Sequence, residues 1–315
     1  MYKKCPGPKI DQMSGRQCKE VKKLKGIVAA TVTPIDHFGK VNFQEIPEFI
    51  SFLLDKGIHG LFPCGSTGEG ILLSTDERKK VAELTVKEAS GQVPVVIHTG
   101  SIDIHEAIEL TVHARNIGAD GAALIPPYYY SVDEAAILDY YRSIAQEVKD
   151  FPLYIYNIPG NVKNVISPMI VVKLHAEFSN ILGIKDSSMD FMNFINFKAA
   201  LPGDFCVLMG NDAQIYSSVL MGGSGAIAAT ASAFPEPVVE IYESIKAGDL
   251  NAALKAQKIV TEIRTIFRSY PPVASYKKAL EFRGIKAGVP RLPLRGMTDE
   301  ESERMTRELS NLGLL

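Results

Sequence analysis

The chain has 315 residues, 46% of them hydrophobic, with 34 Lys and Arg against 36 Asp and Glu for a net charge of -2. Near-balance with both signs interspersed excludes the basic surface of a nucleic-acid binder and the polybasic stretch of an anionic-membrane binder. No apolar run approaches the roughly 20 residues that a membrane helix needs, and the opening MYKKCPGPKIDQMSGRQCKEVKK lacks the apolar core of a signal peptide, so a cytoplasmic protein is expected.

Residues 1–24 mix Pro, Gly, Lys and polar side chains without periodicity and read as an N-terminal extension, disordered or packed on the surface. Order is expected to begin at GIVAATVTPI. From there short apolar runs, at 26–33, 57–64, 93–99, 121–127, 152–157, 181–185, 205–210 and 224–230, read as strands. Between them, 42–57, 74–91, 103–118, 133–150, 167–178, 188–201 and 212–223 carry helical spacing, and 234–249 follows the last strand. Several of these segments open on Asn, Ser or Asp and close on Gly, as capped helices do.

Eight successive βα units predict an α/β fold, a (β/α)8 TIM barrel over residues 25–248, because each parallel strand needs a crossover and eight of them close. A doubly wound open sheet is the alternative, but the turn after its first strand usually carries G-x-G-x-x-G, and here it reads TVTPIDHFG. Residues 249–315 show helical patterns at 250–267, 271–284 and 298–313 and no strand, which predicts a C-terminal helical appendage without catalytic chemistry of its own.

One residue stands out from this frame. In NILGIKDSS (180–188), Lys185 ends an apolar run that reads as a strand buried on both faces, where an ammonium is costly. A lysine snorkelling to solvent and an ion pair with Asp186 are two structural explanations. An amine nucleophile is the third. In a barrel the chemistry collects at the C-terminal strand ends, where Lys185 closes strand six and Tyr156 closes strand five, so the two should share one mouth. A phenol beside an amine can relay the protons of carbinolamine dehydration. The loop GSTGEG (65–70) follows strand two; Gly65 and Gly68 permit a tight turn, and the amides and hydroxyls of Ser66 and Thr67 make a nest for a carboxylate or a phosphate.

The remaining reactive residue types point nowhere else. Cys5, Cys18, Cys64 and Cys206 contain no C-x-x-C pair, against a disulfide framework or structural zinc, and the last two sit in apolar runs as core thiols. No H-x-x-x-H or H-E-x-x-H occurs, so no metal is expected. His98 ends the run VPVVIH and reads as a hydrogen-bonded structural histidine, with a pocket-facing one as the alternative.

Taken together, GSTGEG, PPYYY (126–130), YNIPG (156–160), GIKD (183–186), GND (210–212) and GGSGAIAA (222–229) stand in an order and spacing that resembles the dihydrodipicolinate synthase and N-acetylneuraminate lyase family of Schiff-base aldolases. The resemblance spans about residues 25 to 312. It implies that Lys185 forms an imine with the keto carbon of pyruvate or another 2-oxo acid, without cofactor or metal, and that Tyr156 relays protons. It implies that Ser66, Thr67 and Gly68 hold the pyruvate carboxylate, that the Ile227 backbone lines the site, and that Tyr129 reaches across a dimer interface into a neighbouring site. A homotetramer built as a dimer of dimers, acting on pyruvate and an aldehyde, follows from the same likeness.

The specialised signatures of the family are missing. Asn161 stands where the lysine-pathway synthases carry an arginine for the carboxylate of aspartate semialdehyde, with Lys163 close by. Ala213 follows Asp212 where the sialic-acid lyases carry a carboxylate. A lyase forming or cleaving a bond between pyruvate and an aldehyde, of a 2-keto-3-deoxy sugar acid or similar, is therefore the leading expectation. Dihydrodipicolinate synthase is the first alternative, with N-acetylneuraminate lyase, a non-catalytic 2-oxo-acid-binding barrel and a non-covalent phosphate-sugar enzyme behind it.

Overall fold

A computed structural model describes residues 23–315. The expected extension, residues 1–22 of it, lies outside the described residues. Eight parallel strands form one sheet: β1 (Gly26–Ala29), β2 (Gly60–Leu61), β3 (Val96–His98), β4 (Gly121–Leu124), β5 (Leu153–Asn157), β6 (Ile181–Asp186), β7 (Cys206–Met209) and β8 (Gly225–Ala228). They pair in the order β2-β1-β8-β7-β6-β5-β4-β3. A parallel bridge between Leu61 and Val95 brings the two ends of the sheet together, which makes the fold the expected TIM barrel.

Helices α1 (Glu45–Asp55), α2 (Thr75–Ala89), α3 (Ile104–Asn116) and α4 (Glu134–Glu147) cross between the first five strands. After β5 a short turn, α5 (Pro159–Val162), precedes α6 (Pro168–Glu177), followed by α7 (Phe191–Ala200), α8 (Ile215–Leu220) and α9 (Pro235–Ala247). The appendage comprises α10 (Leu250–Arg268), α11 (Ala274–Phe282) and α12 (Asp299–Asn311). No helix among the described residues is long and apolar enough to cross a membrane.

Strand alternation divides the core in two. Ile27, Ala29, Ile155, Ile184 and Val207 face the helices, whereas Val28, Ala30, Tyr154, Tyr156 and Leu208 face the barrel interior. The floor is closed from the N-terminal side. Leu24, placed in the extension by its sequence, is fully buried with the interior set, and its N–H donates to the Tyr154 hydroxyl at 3.0 Å. Burial of such a side chain contributes about 1.5–3 kcal/mol, so structure begins before β1.

The appendage is bolted to the loop after β2. Lys277 Nζ lies 2.6 Å from Glu69 Oε1 with both side chains at 0% exposure, and it also donates to the Val289 carbonyl at 2.8 Å. The other Glu69 oxygen accepts the Arg291 N–H at 2.6 Å. The Arg291 guanidinium then grips Glu77 with two bonds of 2.7 Å. Burial pulls Lys277 below the ordinary lysine range against the raising charge of Glu69. Because removing one partner strands the other charge, Lys277→Met should lower stability by about 3–5 kcal/mol in urea unfolding. A loss under about 1 kcal/mol would mean that water reaches Glu69.

Candidate active site

Lys185 points into the barrel because it shares the parity of Gly183 on β6, while Ile184 and Asp186 point outward. The register pairs it with Tyr156 on one side and Leu208 on the other. Its nitrogen sits 4.1 Å from the centroid of the Tyr156 ring and 4.6 Å from that of Phe62, and the residue is 4% exposed. Two aromatic faces hold it in place. Neither structural explanation survives this geometry. The lysine does not reach solvent, and Asp186 is engaged on the opposite face by Asn157 at 2.8 Å, Asn193 at 3.2 Å and the Ser188 hydroxyl at 3.0 Å. Burial raises the Asp186 carboxyl against these hydrogen bonds.

The Tyr156 hydroxyl lies 3.5 Å from Ser66 Oγ, which begins the nest. The amides of Ser66 and Thr67 make no hydrogen bond to another described residue, which leaves them available to an anion. The turn is built differently from the expectation: its left-handed residues are Cys64 and Glu69, with φ of 60° and 56°, and not the glycines. The glycines allow close approach instead. A Cβ on Gly70 would stand 1.8 Å from the Cys64 carbonyl oxygen.

Lys185, Tyr156, Ser66, Thr67, Asn161 and Ile227 line one cavity of about 380 Å³ at the C-terminal ends of the strands. The structure thus brings together all but two of the expected site residues. Gly68 is buried behind the wall, where its carbonyl accepts the Thr33 hydroxyl at 2.7 Å. Tyr129 lies outside: it is 69% exposed, with a left-handed φ of 74° and its ring edge-on to Tyr130 at 5.0 Å. Lys163 is also outside the cavity lining, its nitrogen 5.8 Å from the Tyr129 ring.

A second cavity of about 750 Å³ adjoins the first and shares Ser66, Thr67 and Asn161 with it. His98 lines this one. It corrects the expectation of a hydrogen-bonded histidine: the ring is buried 5.9 Å from Tyr156 and 6.2 Å from Phe62, and neither nitrogen has a hydrogen-bond partner of ordinary geometry. Burial, followed by the charges of Arg78 and Lys185, holds its imidazole well below the usual histidine range, against a weak backbone contact at Cys64. Cys64 is a core thiol as expected, pushed up to about 11 by burial. Residues that the sequence reading missed come from the later strands and the appendage: Asp212 and, on α10 and α11, Arg264, Arg268 and Tyr276 reach the Lys185 cavity. The only sequence signal for the arginines is their i, i+4 spacing on an amphipathic helix.

A buried lysine and a tyrosine stand paired at the mouth of a closed barrel, beside an open amide nest, the kind of arrangement that a Schiff-base-forming lyase needs. The family model described as the dihydrodipicolinate synthetase family matches residues 23–312, and the chain belongs to that family. It is 34% identical over 294 residues to the 4-hydroxy-tetrahydrodipicolinate synthase of Methanopyrus kandleri, covering 93% of this chain and 97% of that one. It is 35% identical over 292 residues to an uncharacterized DapA-like lyase of Halobacterium salinarum, covering 93% and 95%. Among solved structures, YagE of E. coli K12 in complex with pyruvate, a protein of the dihydrodipicolinic acid synthase family, superposes with a TM-score of 0.88 at 30% identity, covering 92% of this chain and 99% of that one.

Directly beneath Lys185, Gly183 leaves room for the interior side chains. A Cβ there would meet the Tyr154 ring at 2.6 Å and Cys206 Cβ at 2.7 Å. Gly183→Ala should therefore destabilise the protein by about 1–3 kcal/mol, read as a lower urea midpoint at unchanged slope.

Proposed function

We propose that the enzyme uses Lys185 to form an imine with pyruvate and joins it to, or releases it from, an aldehyde. The observation that carries this reading is the pairing of Tyr156 with Lys185 across neighbouring strands, which sets the amine against the phenol within one cavity. The amine of Lys185 adds to the keto carbon to give a carbinolamine, and the carbinolamine loses water as Tyr156 delivers the proton to the departing hydroxyl. Ser66, 3.5 Å from the phenol, is next in the relay. The Ser66 and Thr67 amides hold the carboxylate, with Gly68 shaping their turn and the Ile227 backbone closing the wall. The imine withdraws electrons, so the methyl group loses a proton and the resulting enamine attacks an aldehyde. Water then frees Lys185. The reverse sequence cleaves the same bond.

The second substrate separates two readings. The names of the relatives support condensation of pyruvate with aspartate semialdehyde, the synthase reaction, ahead of the sugar-acid aldolase with which the sequence reading led. Asn161 in place of the expected arginine, with Lys163 turned toward Tyr129, favours an aldolase of 2-keto-3-deoxygluconate or 4-hydroxy-2-oxoglutarate. A cytoplasmic dimer of dimers belongs to either reading. Tyr129, exposed on the subunit, then reaches the neighbouring site.

Incubation with pyruvate, borohydride reduction and peptide mass analysis should find one adduct, on Lys185. A folded protein without it in excess pyruvate would make this a binding barrel. Product analysis with aspartate semialdehyde, against pyruvate release from 2-keto-3-deoxygluconate, separates synthase from aldolase. In the same trapping assay Tyr156→Phe should slow adduct formation by about 10²-fold or more while the final extent at saturating pyruvate changes less than about 3-fold. Equal loss of rate and extent would assign Tyr156 to packing.

A further inference from the structure

The cavity around Lys185 holds two more cations that imine chemistry does not use. Arg264 and Arg268 stand one turn apart on α10, on the helix face that also carries Gln257 and Thr261. Gln257 fixes that face: its amide donates to the Asp212 carbonyl at 2.9 Å, and its oxygen accepts the Tyr216 N–H at 2.8 Å. Both arginines line the same cavity as Lys185 and Tyr156.

Neither has an ion-pair partner within 4.0 Å among the described residues. Among the described residues the one hydrogen-bond contact of the Arg268 side chain is to the Met189 sulfur, at 4.0 Å. The Asp212 carboxylate in the same wall accepts the N–H groups of Ala229 at 3.3 Å and Thr230 at 2.7 Å; it acts on Arg264 at a distance, offsetting part of the charge without pairing with either guanidinium. Burial, and then the like charge of Arg268, pulls Arg264 below the ordinary guanidinium range against the raising charges of Asp212 and Tyr276. Two such forks in a small cavity match the geometry of an oxyanion, which would remove their repulsion.

We propose that Arg264 and Arg268 form an anion pole that binds a second oxyanion, a carboxylate or a phosphate, at the far end of the substrate whose near end reacts at Lys185. The inference rests on the Schiff-base reading. It makes the partner aldehyde an anionic one and moves its charge recognition from the strand-five loop, where Asn161 stands, to the C-terminal helix.

The test traps 2-oxo acids on Lys185 with borohydride in the full chain and reads half-saturation. 2-Oxoglutarate and 2-oxoadipate are compared with the monoanions of equal length, 2-oxopentanoate and 2-oxohexanoate, and with 2-oxo-4-phosphonobutanoate. Each dianion should half-saturate at a concentration at least about 10-fold lower than its monoanion at low salt, with the advantage shrinking in high salt. R264Q/R268Q should abolish that advantage while leaving pyruvate trapping within about 3-fold, which also shows that the variant is folded, and R264K/R268K should keep only part of it, since an ammonium supplies the charge without the fork. The stronger of carboxylate and phosphonate identifies the anion. Equal trapping of dianion and monoanion by the unmodified protein, an advantage that persists in R264Q/R268Q, or refusal of every longer acid while pyruvate is trapped would each overturn the pole and leave the Schiff-base reading standing. Absence of a pyruvate adduct in the unmodified protein would overturn both.

Discussion

An amine held inside a barrel without a carboxylate beside it is the constraint on which the rest of this structure depends. Desolvating such a group is costly, and the protein meets the cost with shape. Strand parity turns Lys185 inward, Gly183 beneath it leaves space for the Tyr154 ring, and the faces of Tyr156 and Phe62 enclose the nitrogen at 4.1 and 4.6 Å. Asp186, the nearest acid in sequence, is held on the other side of the strand by three side-chain donors. An ion pair there would satisfy the lysine and remove it from chemistry. The alternation of a β-strand prevents it.

The site is assembled from segments far apart in the chain, and their alignment is enforced away from the reacting atoms. Glu69 leaves the nest loop with a left-handed backbone and buries its carboxylate against Lys277 of α11, while Arg291 ties the same loop to α2 through Glu77. The appendage consequently helps to hold the loop that carries Ser66 and Thr67. It also carries Arg264 and Arg268 over the mouth, so it forms the roof of the site and is more than a decoration of the fold.

Several features were legible from particular residues. The apolar run ending in Lys185, the tyrosine one βα unit earlier and the glycine-rich loop after strand two are local patterns, and barrel geometry alone predicts that they converge. Other features had no local signal. Segment 57–64 forms only the two-residue strand Gly60–Leu61, because most of that apolar stretch supplies buried loop walls, Phe62 among them. Leu24 sits in a polar sequence yet plugs the floor, and His98 is enclosed by aromatic rings without a well-formed hydrogen bond. In each case the partner lies in a distant element.

The sequence by itself determined the element order, the barrel and the lysine and tyrosine at its mouth, since periodicity, strand ends and turn chemistry are properties of neighbouring residues. Only the tertiary structure decided which charges stay unpaired, and therefore which residues face a substrate. Pairing is a matter of separation in space. Lys277 and Glu69 lie far apart in the chain yet touch, whereas Lys185 and Asp186 are adjacent in the chain and face apart.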